Sequence, residues 1–434
     1  MKVLVVGNGA REHALSWKLS QSPLADKVYV APGNPGMDIM TRLAPIDAED
    51  IDGLVKFSKE ENMGLVVIGP EAPLALGLAD RLIEAGVKVF GPKAAAARLE
   101  TSKSFAKEFM GRHNIPTAAY RTFTSAAEAS RYLEEKPDGP IVVKAAGLAQ
   151  GKGVTVAKNR AEALLAVKEM MEDKRFGEAG LEVVIEDFID GEEVTVLAFT
   201  DGKTIVPMPP VQDHKALEES DTGPNTGGMG AYSPVAVYTP EVAALVETTI
   251  IKPTLEGLKA DGIDYCGCLY FGLILPSANS AYKGPQVIEY NARFGDPETE
   301  VLVLLLKSDL TAIMLSCVEG RLAEQEVEWR DESAACVVLA SGGYPGDYAK
   351  GKVITENVPS FVGASMAFHG GTAINEKGEI VTAGGRVITV AAKSTTLEKA
   401  LDKVYARVEA TFFEGRHFRR DIAHRELARR KGEK

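Results

Sequence analysis

The sequence predicts a multidomain protein that combines α/β and α+β units. Three observations carry that reading. The chain has 434 residues, more than one hydrophobic core organises, so roughly two to four domains are expected. Residues 1 to about 92 repeat one unit, a short apolar strand followed by a Gly/Pro-rich turn. From about residue 326 the chain becomes rich in Val, Gly and Thr, which predicts a mainly antiparallel β domain.

The opening repeats are K-V-L-V-V-G-N-G, K-V-Y-V-A-P-G-N-P-G, G-L-V-V-I-G-P-E-A-P-L and K-V-F-G-P-K, with helix-like stretches such as 12–19 and 74–85 between them. Alternating strands and helices build a parallel sheet whose ligands sit at the carboxyl ends of the strands. A helix is expected from about 94, with Lys103 inside it, ending at Ile115-Pro116-Thr117 because proline cannot continue it. Residues 125 to 187 read as a small α+β unit. It has a capping box at Ser125-Ala-Ala-Glu128, strands at 141–145 and 181–188, and a helix at 161–171. Residues 190 to about 325 mix strands and helices around the Gly-rich stretch 222–234. The basic stretch R-H-F-R-R-D-I-A-H-R at 416–425 is expected to be a closing helix with a solvated face.

Hydrophobic residues make up 45% and charged residues 25%, an ordinary globular balance. The net charge of −12 argues against a general nucleic-acid binder, yet leaves room for a local basic pocket around an anionic small molecule. Four cysteines in so long a chain make no disulfide framework, and Cys266-Gly-Cys268 lacks a second pair at metal-ligand spacing. The apolar run at the N-terminus is too short for a signal peptide, and the run at 301–306 is far below membrane-spanning length. A cytoplasmic protein with no membrane partner is expected.

Three loops suit phosphates or nucleotides, and each also has a plainer account. G-N-G-A-R-E-H-A at 7–14 has Glu12 where a dinucleotide fingerprint needs its third glycine. What remains is a strand–loop–helix turn (Gly7 to Gly9) with free backbone N–H groups and Arg11, suited to one phosphate or simply a tight turn. A-A-G-L-A-Q-G-K-G-V at 145–154 fails the P-loop pattern at Ala146 and at Gly153. Lys144, Gly151, Lys152 and Gly153 still suit a phosphate chain, as they would a flexible hairpin. In V-V-I-E-D-F-I-D-G-E-E-V at 183–194, Glu186 could present backbone groups to a planar base and Glu193 could take a ribose hydroxyl; a solvated acidic hairpin would look the same.

In V-I-E-Y-N-A-R-F-G-D-P-E-T-E at 287–300, Glu289, Asn291 and Arg293 recur at the strand period, so they share one face, with neighbours roughly 7 Å apart. Alone, this is the polar side of a half-buried strand. Together with the lysine loop it supplies a carboxylate and an amide oxygen for Mg²⁺, and a guanidinium for a phosphate or carboxylate.

In order along the chain, Lys103, Lys144, the glycine loop, Glu186 with the hinge to Ile189, Glu193, Glu289 and Asn291 resemble the ATP-grasp superfamily. The stretches G-N-G-x-R-E-H-A, A-P-G-N-P-G, G-P-E-x-P-L, K-A-x-G-L-A-x-G-K-G-V, Q-D-H-K (212–215), G-P-N-T-G-G-M-G-A-Y-S-P and R-F-G-D-P-E-T-E resemble the glycinamide ribonucleotide synthetase family, and Ser341-Gly-Gly-Tyr-Pro continues the likeness. Ala10 departs from the glycine often found there. The resemblance implies a Rossmann-like N-terminal domain (1–102), an ATP-grasp core lobe (103–121 and 190–325), an inserted lid lobe (122–189) and a C-terminal β-rich domain (326–434). It implies ATP and Mg²⁺, with Mn²⁺ as an alternative, acting on glycine and 5-phosphoribosylamine in a monomer or homodimer. Lys103, Lys144, Gly151, Lys152 and Gly153 would cover the phosphates, Glu186 to Ile189 and Glu193 would hold the nucleoside, and Glu289 and Asn291 the metal. Arg293, Lys144 and Asp213 would serve the chemistry. Gly9, Arg11, Asp213, Gly228 and Arg293 would bind the substrates. Other ATP-grasp ligases such as biotin carboxylases share the core but not G-P-N-T-G-G-M-G or R-F-G-D-P-E. A dinucleotide oxidoreductase is disfavoured by Glu12, and nothing favours a non-catalytic nucleotide sensor.

Overall fold

The computed structural model describes residues 1–38, 40–149, 153–356 and 365–432. At the N-terminus a five-stranded parallel sheet runs in the order Arg42–Leu43, Lys27–Pro32, Lys2–Gly7, Leu65–Ile68, Val89–Phe90. Its central strand buries Val3, Leu4, Val5 and Val6 completely, as expected of a parallel strand covered on both faces. The helix Ala10–Leu19 begins two residues before the predicted start. Glu12 explains this: its carboxylate accepts the Gly9 N–H at 2.7 Å and so caps the helix it belongs to. Ala10 occupies the first helical turn, where no glycine-only conformation is required.

The predicted helix from 94 is two. Ser102 takes an extended φ of −137° between Ala94–Thr101 and Lys103–Arg112, and its side chain accepts the Phe105 N–H. Lys103 therefore opens a helix instead of lying inside one. The stretch 74–85 likewise divides, into Glu71–Ala75 and Leu78–Glu84.

The small lobe is a four-stranded antiparallel sheet in the order Tyr120–Phe123, Val183–Asp187, Ile141–Ala145, Val154–Ala157. The helix Arg160–Val167 covers it and continues as one π-helical turn, Lys168–Glu172. A second antiparallel sheet orders Ile205–Pro207, Gly191–Thr200, Gly267–Pro276 and Gln286–Asn291. Glu289 and Asn291 lie on its edge strand; Arg293 lies just past the strand's end. A register shift at Ile288 bends this edge.

The C-terminal sheet is antiparallel, in the order Gln212–Asp213, Gly230–Ser233, Ser333–Ala340, Arg386–Ser394, Ser365–His369, with the helix Leu397–Ala410 packed on it. Its first two strands come from the chain stretch that carries Q-D-H-K and G-M-G-A-Y-S. The basic tail differs from expectation. Only His424–Arg430 is helical, and Arg419 is fully buried, held by Asp221 and Asp421 at 2.8 Å each. Those two carboxylates make 419–421 a non-helical anchor. Among the described residues no helix is long and apolar enough to cross a membrane.

Two motif residues join the N-terminal unit to the C-terminal sheet. The Asn34 amide donates to Asn8 C=O at 2.8 Å and to His369 C=O at 2.7 Å, while His13 Nδ1 accepts the His369 N–H at 2.8 Å. Burial, then the neighbouring His369, pushes the His13 pKa well below its ordinary value of 6.5. The folded state thus holds His13 neutral, and protonation favours the unfolded chain. Its contribution is full above about pH 6.5 and declines as pH falls below that value. Urea midpoints measured from pH 8 down to 5 should fall below pH 6.5, and His13→Gln should flatten that fall.

Candidate active site

One cavity of about 540 Å³ lies where the N-terminal unit, both lobes and the C-terminal sheet meet. It runs from Phe188 and Ile189, past Glu289 and Asn291, to the Asn8–Gly9–Arg11 turn. Most residues singled out from the sequence line it: Gly9, Arg11, Lys103, Lys144, Gly153, Glu186, Ile189, Glu193, Asp213, Glu289, Asn291 and Arg293. Gly151 and Lys152 lie outside the described residues. Gly228 does not line the wall. It sits behind it at φ +113°, where an added Cβ would lie 2.5 Å from Pro297 Cδ, while Thr226 and Gly227 face the cavity.

At the small-lobe end, buried Glu186 pairs with Lys144 at 2.8 Å and with Lys107 at 2.9 Å. Burial alone would raise the Glu186 pKa; the two lysines outweigh it and lower it. Burial brings Lys107 down to about 8 against the pull of Glu186. Lys144 also donates to Ile288 C=O at 2.9 Å, and Lys103 to Gly147 C=O at 3.2 Å. Thus the Glu186 side chain is committed to the lysines, and Asp187, Phe188 and Ile189 carry the cavity wall onward from it.

On the edge strand, Glu289 stays ionised. Burial opposes its charge, but Lys215, Lys144, Lys103 and Arg293 hold its pKa at about 2. Lys215 Nζ stands 2.9 Å from Glu193 and 3.5 Å from Glu289. A carboxylate and an amide oxygen at the strand end form the hard oxygen donor set that a divalent cation requires, so Glu289 and Asn291 fit the metal the resemblance implies. Arg293 is itself restrained: Glu100 lies 3.0 Å and Glu71 3.6 Å from its guanidinium, and Asn291 Oδ1 accepts from it at 3.3 Å. Burial works against its charge, and the two acids more than offset that.

Asp213 lies deeper. Burial, with Glu298, Glu193 and Glu289 nearby, raises its pKa to about 7 despite Lys215. Glu298 is buried and accepts the Tyr270 hydroxyl at 3.0 Å. Asp296 pairs with Arg386 at 3.0 Å; Arg386 also donates to Gly227 C=O at 2.8 Å and lines the cavity. At the N-terminal turn Gly7 has φ +128°, and Glu12 folds over it, so the space a dinucleotide pyrophosphate would need is filled. Arg11 pairs with Glu12 at 2.5 Å and donates to Phe294 C=O at 3.2 Å.

Sequence reasoning missed Lys107, Glu100, Lys215 as a bridging cation, and Arg386. Two of these had a signal. Lys107 is one helical turn from Lys103, and Lys215 is two from Asp213 at the strand period. Nothing local marks Arg386, which a different sheet brings in. Among the described residues one further group, His214, Asp221 and His424, has metal-like proximity. His214 Nε2 accepts the Ala423 N–H at 2.9 Å and its Nδ1 faces Asp221 at 3.1 Å, while Arg419 and Arg425 bind the same carboxylate. These contacts anchor the tail behind Asp213 and Lys215.

Family models for phosphoribosylglycinamide synthetase match nearly the whole chain: the N domain at 1–100, the ATP-grasp (A) domain at 101–299 and the C domain at 334–425. The chain belongs to the phosphoribosylglycinamide synthetase family. A curated phosphoribosylamine–glycine ligase from Chlorobaculum tepidum is 50% identical, covering 98% of this chain and 100% of its own. One from Pasteurella multocida is 48% identical over 99% of each. The crystal structure of phosphoribosylamine–glycine ligase from Thermotoga maritima superposes with a TM-score of 0.83 at 33% identity, covering 98% of this chain and 100% of that one. A biotin carboxylase–β,γ-ATP complex from Campylobacter jejuni shares the fold, with a TM-score of 0.73 at 14% identity over 96% and 92% of the chains.

In this synthetase-family site the Lys107–Glu186–Lys144 cluster is the most buried charge group. Glu186→Gln leaves two lysines facing each other without an anion. It should lower stability by about 3 kcal/mol, read from urea unfolding.

Proposed function

We propose that this protein joins glycine to 5-phosphoribosylamine, giving glycinamide ribonucleotide, ADP and phosphate, a step of de novo purine biosynthesis. The reaction runs through a glycyl phosphate intermediate. The single observation that carries this reading is the continuous cavity: it places the Phe188–Ile189 backbone, the Lys103/Lys144 pair, the Glu289–Asn291 strand end and the Asn8–Arg11 turn along one path.

A carboxylate is a poor acyl donor, because its charge repels an incoming amine. Transfer of the γ-phosphoryl group to the glycine carboxylate replaces that charge with a phosphate leaving group. The amine of phosphoribosylamine then attacks, and phosphate departs. Such a transfer needs positioning and charge neutralisation more than covalent help from the protein. Lys103 and Lys144, with Lys152, neutralise the phosphates, and Gly151 and Gly153 let the backbone approach them. Glu186 to Ile189 present backbone to adenine, and Glu193 faces the ribose. Glu289 and Asn291 would hold Mg²⁺, with Mn²⁺ as an alternative; when bound, it supplies charge neutralisation at the phosphates. Arg293, fixed by Glu100 and Glu71 and with Nη1 on Phe294 C=O at 3.3 Å, turns its charge toward the glycine carboxylate or the transferred group. Asp213, with Thr226 and Gly227 lining the same cavity, faces the amino-acid end. Gly9 and Arg11 face the phosphoribosyl group. Gly228 acts from behind, by shaping the Thr226–Gly227 wall.

The same reading divides the chain at 102, 121, 189 and 325, with 122–189 as a lid whose closure keeps water from the acyl phosphate. It places the protein in the cytoplasm as a monomer or homodimer, with small-molecule partners and neither nucleic acid nor membrane.

A coupled ADP assay should show turnover only when glycine, phosphoribosylamine, ATP and Mg²⁺ are present together. Comparable turnover with bicarbonate or another amino acid would overturn the reading. Glu289→Gln removes a charged metal ligand and should slow the reaction at least tenfold, about 1.4 kcal/mol of barrier. An unchanged rate at limiting Mg²⁺ would place the metal elsewhere.

A further inference from the structure

Two chain crossings join the small lobe to the rest of the molecule. One enters through Ala118 and Ala119 into the strand Tyr120–Phe123; the other leaves the strand Val183–Asp187 and reaches Gly191–Thr200. They touch each other, since the Asp187 N–H donates to Ala119 C=O at 2.9 Å. The second crossing has open space on two sides. Asp187 and Phe188 line the main cavity and also a separate cavity of about 380 Å³, walled by Lys136 to Ile141 and by Ser280 to Tyr282. Packing alone therefore does not fix this stretch.

One loop does fix it: residues 277–285, between the strands Gly267–Pro276 and Gln286–Asn291. At its start, the Ser277 N–H donates to Asp190 C=O at 2.8 Å and the Ser277 hydroxyl to the Asp190 carboxylate at 2.6 Å. Further on, the Tyr282 hydroxyl accepts the Ala119 N–H at 2.9 Å and donates to the Asp187 carboxylate at 3.3 Å. Its ring packs on Ala118, Ile189 and Ile274. Asp187, the last residue of its small-lobe strand, is also held by Lys136 at 2.5 Å.

We propose that Tyr282 is a positioning residue for the nucleotide: one hydroxyl from the core loop ties both crossings and so sets the backbone that faces adenine. The assignment rests on the ATP reading given above. Backbone groups discriminate a base only when held within a few tenths of an ångström, and Tyr282 is placed to do that from outside the site. Ala119 is exposed, so without the hydroxyl its N–H turns to water at little cost to folding. The loss should therefore appear in nucleotide binding and not in stability.

Tyr282→Phe keeps the ring and removes only the hydroxyl. The KM for ATP should rise roughly two- to tenfold, the range set by one hydrogen bond, with the KM for glycine and the thermal midpoint near wild type. A merely structural residue would instead lower the midpoint and shift both KM values together. Calorimetric titration with ATP alone should weaken by the same factor. Equal ATP affinity in wild type and variant overturns the role of Tyr282 while leaving the ATP reading intact. No ATP binding by the wild type overturns both. Hydrogen exchange gives a second readout: the Ala119 amide should be protected in the wild type and accelerated in the variant, and rapid exchange in the wild type would overturn the assignment.

Discussion

A single buried carboxylate, Glu186, holds the two lobes in register. It takes Lys107 from the helix Lys103–Arg112 and Lys144 from the neighbouring strand, and Lys144 reaches on to the Ile288 carbonyl of the edge strand. Three elements from two lobes thus share one set of charges. Two lysines against one acid leave an excess positive charge in a space that excludes most water. Such an excess is costly unless an anion completes it. The strength that closes the structure around Glu186 is therefore also what makes its open side attractive to phosphate.

The opposite balance holds a short distance away. Around Lys215 the carboxylates outnumber the cation: Glu193, Glu289 and Asp213 all act on it. Lys215 partly occupies the electrostatic role that a divalent ion would fill between these acids. The cavity is thus graded, cationic at the Lys103–Lys107–Lys144 end and anionic at the strand end. A nucleotide and its metal would enter this gradient with their own charges already arranged to match. Arg293 belongs to neither end alone. Glu100 and Glu71 pin it so that its orientation does not depend on substrate.

Much of this was legible in the sequence because strand period and glycine punctuation are local. The parallel sheet at the start, the small α+β lobe and the later strands of the antiparallel C-terminal sheet followed from patterns within a few dozen residues; that Gln212–Asp213 and Gly230–Ser233 would join that last sheet did not. So did the shared face of Glu289 and Asn291. Glu12 could be read against a dinucleotide because the fingerprint has a fixed spacing, and its side chain does fill that space. What was not legible is long-range. Arg386 reaches Gly227 and Asp296 from a strand far along the chain, and Tyr344 accepts the Gly227 N–H at 2.9 Å. Arg419 read as a solvated tail residue because nothing nearby reveals that Asp221 will bury it. The helix break at Ser102 was missed because an alanine-rich run has high helix propensity on either side of a single capping serine.

The tail's attachment has a consequence for how the protein is made. His214 sits between Asp213 and Lys215, and it is seated by the Ala423 N–H, while Arg419 grips Asp221 at the far side of the same hairpin. The ribosome delivers Asp213 and Lys215 some two hundred residues before it delivers the groups that hold them. During translation that wall stays unassembled, even after the N-terminal sheet and small lobe have had time to fold. The emerging polypeptide therefore acquires the Lys103–Lys144 wall of the cavity first and the Asp213–Lys215 wall last.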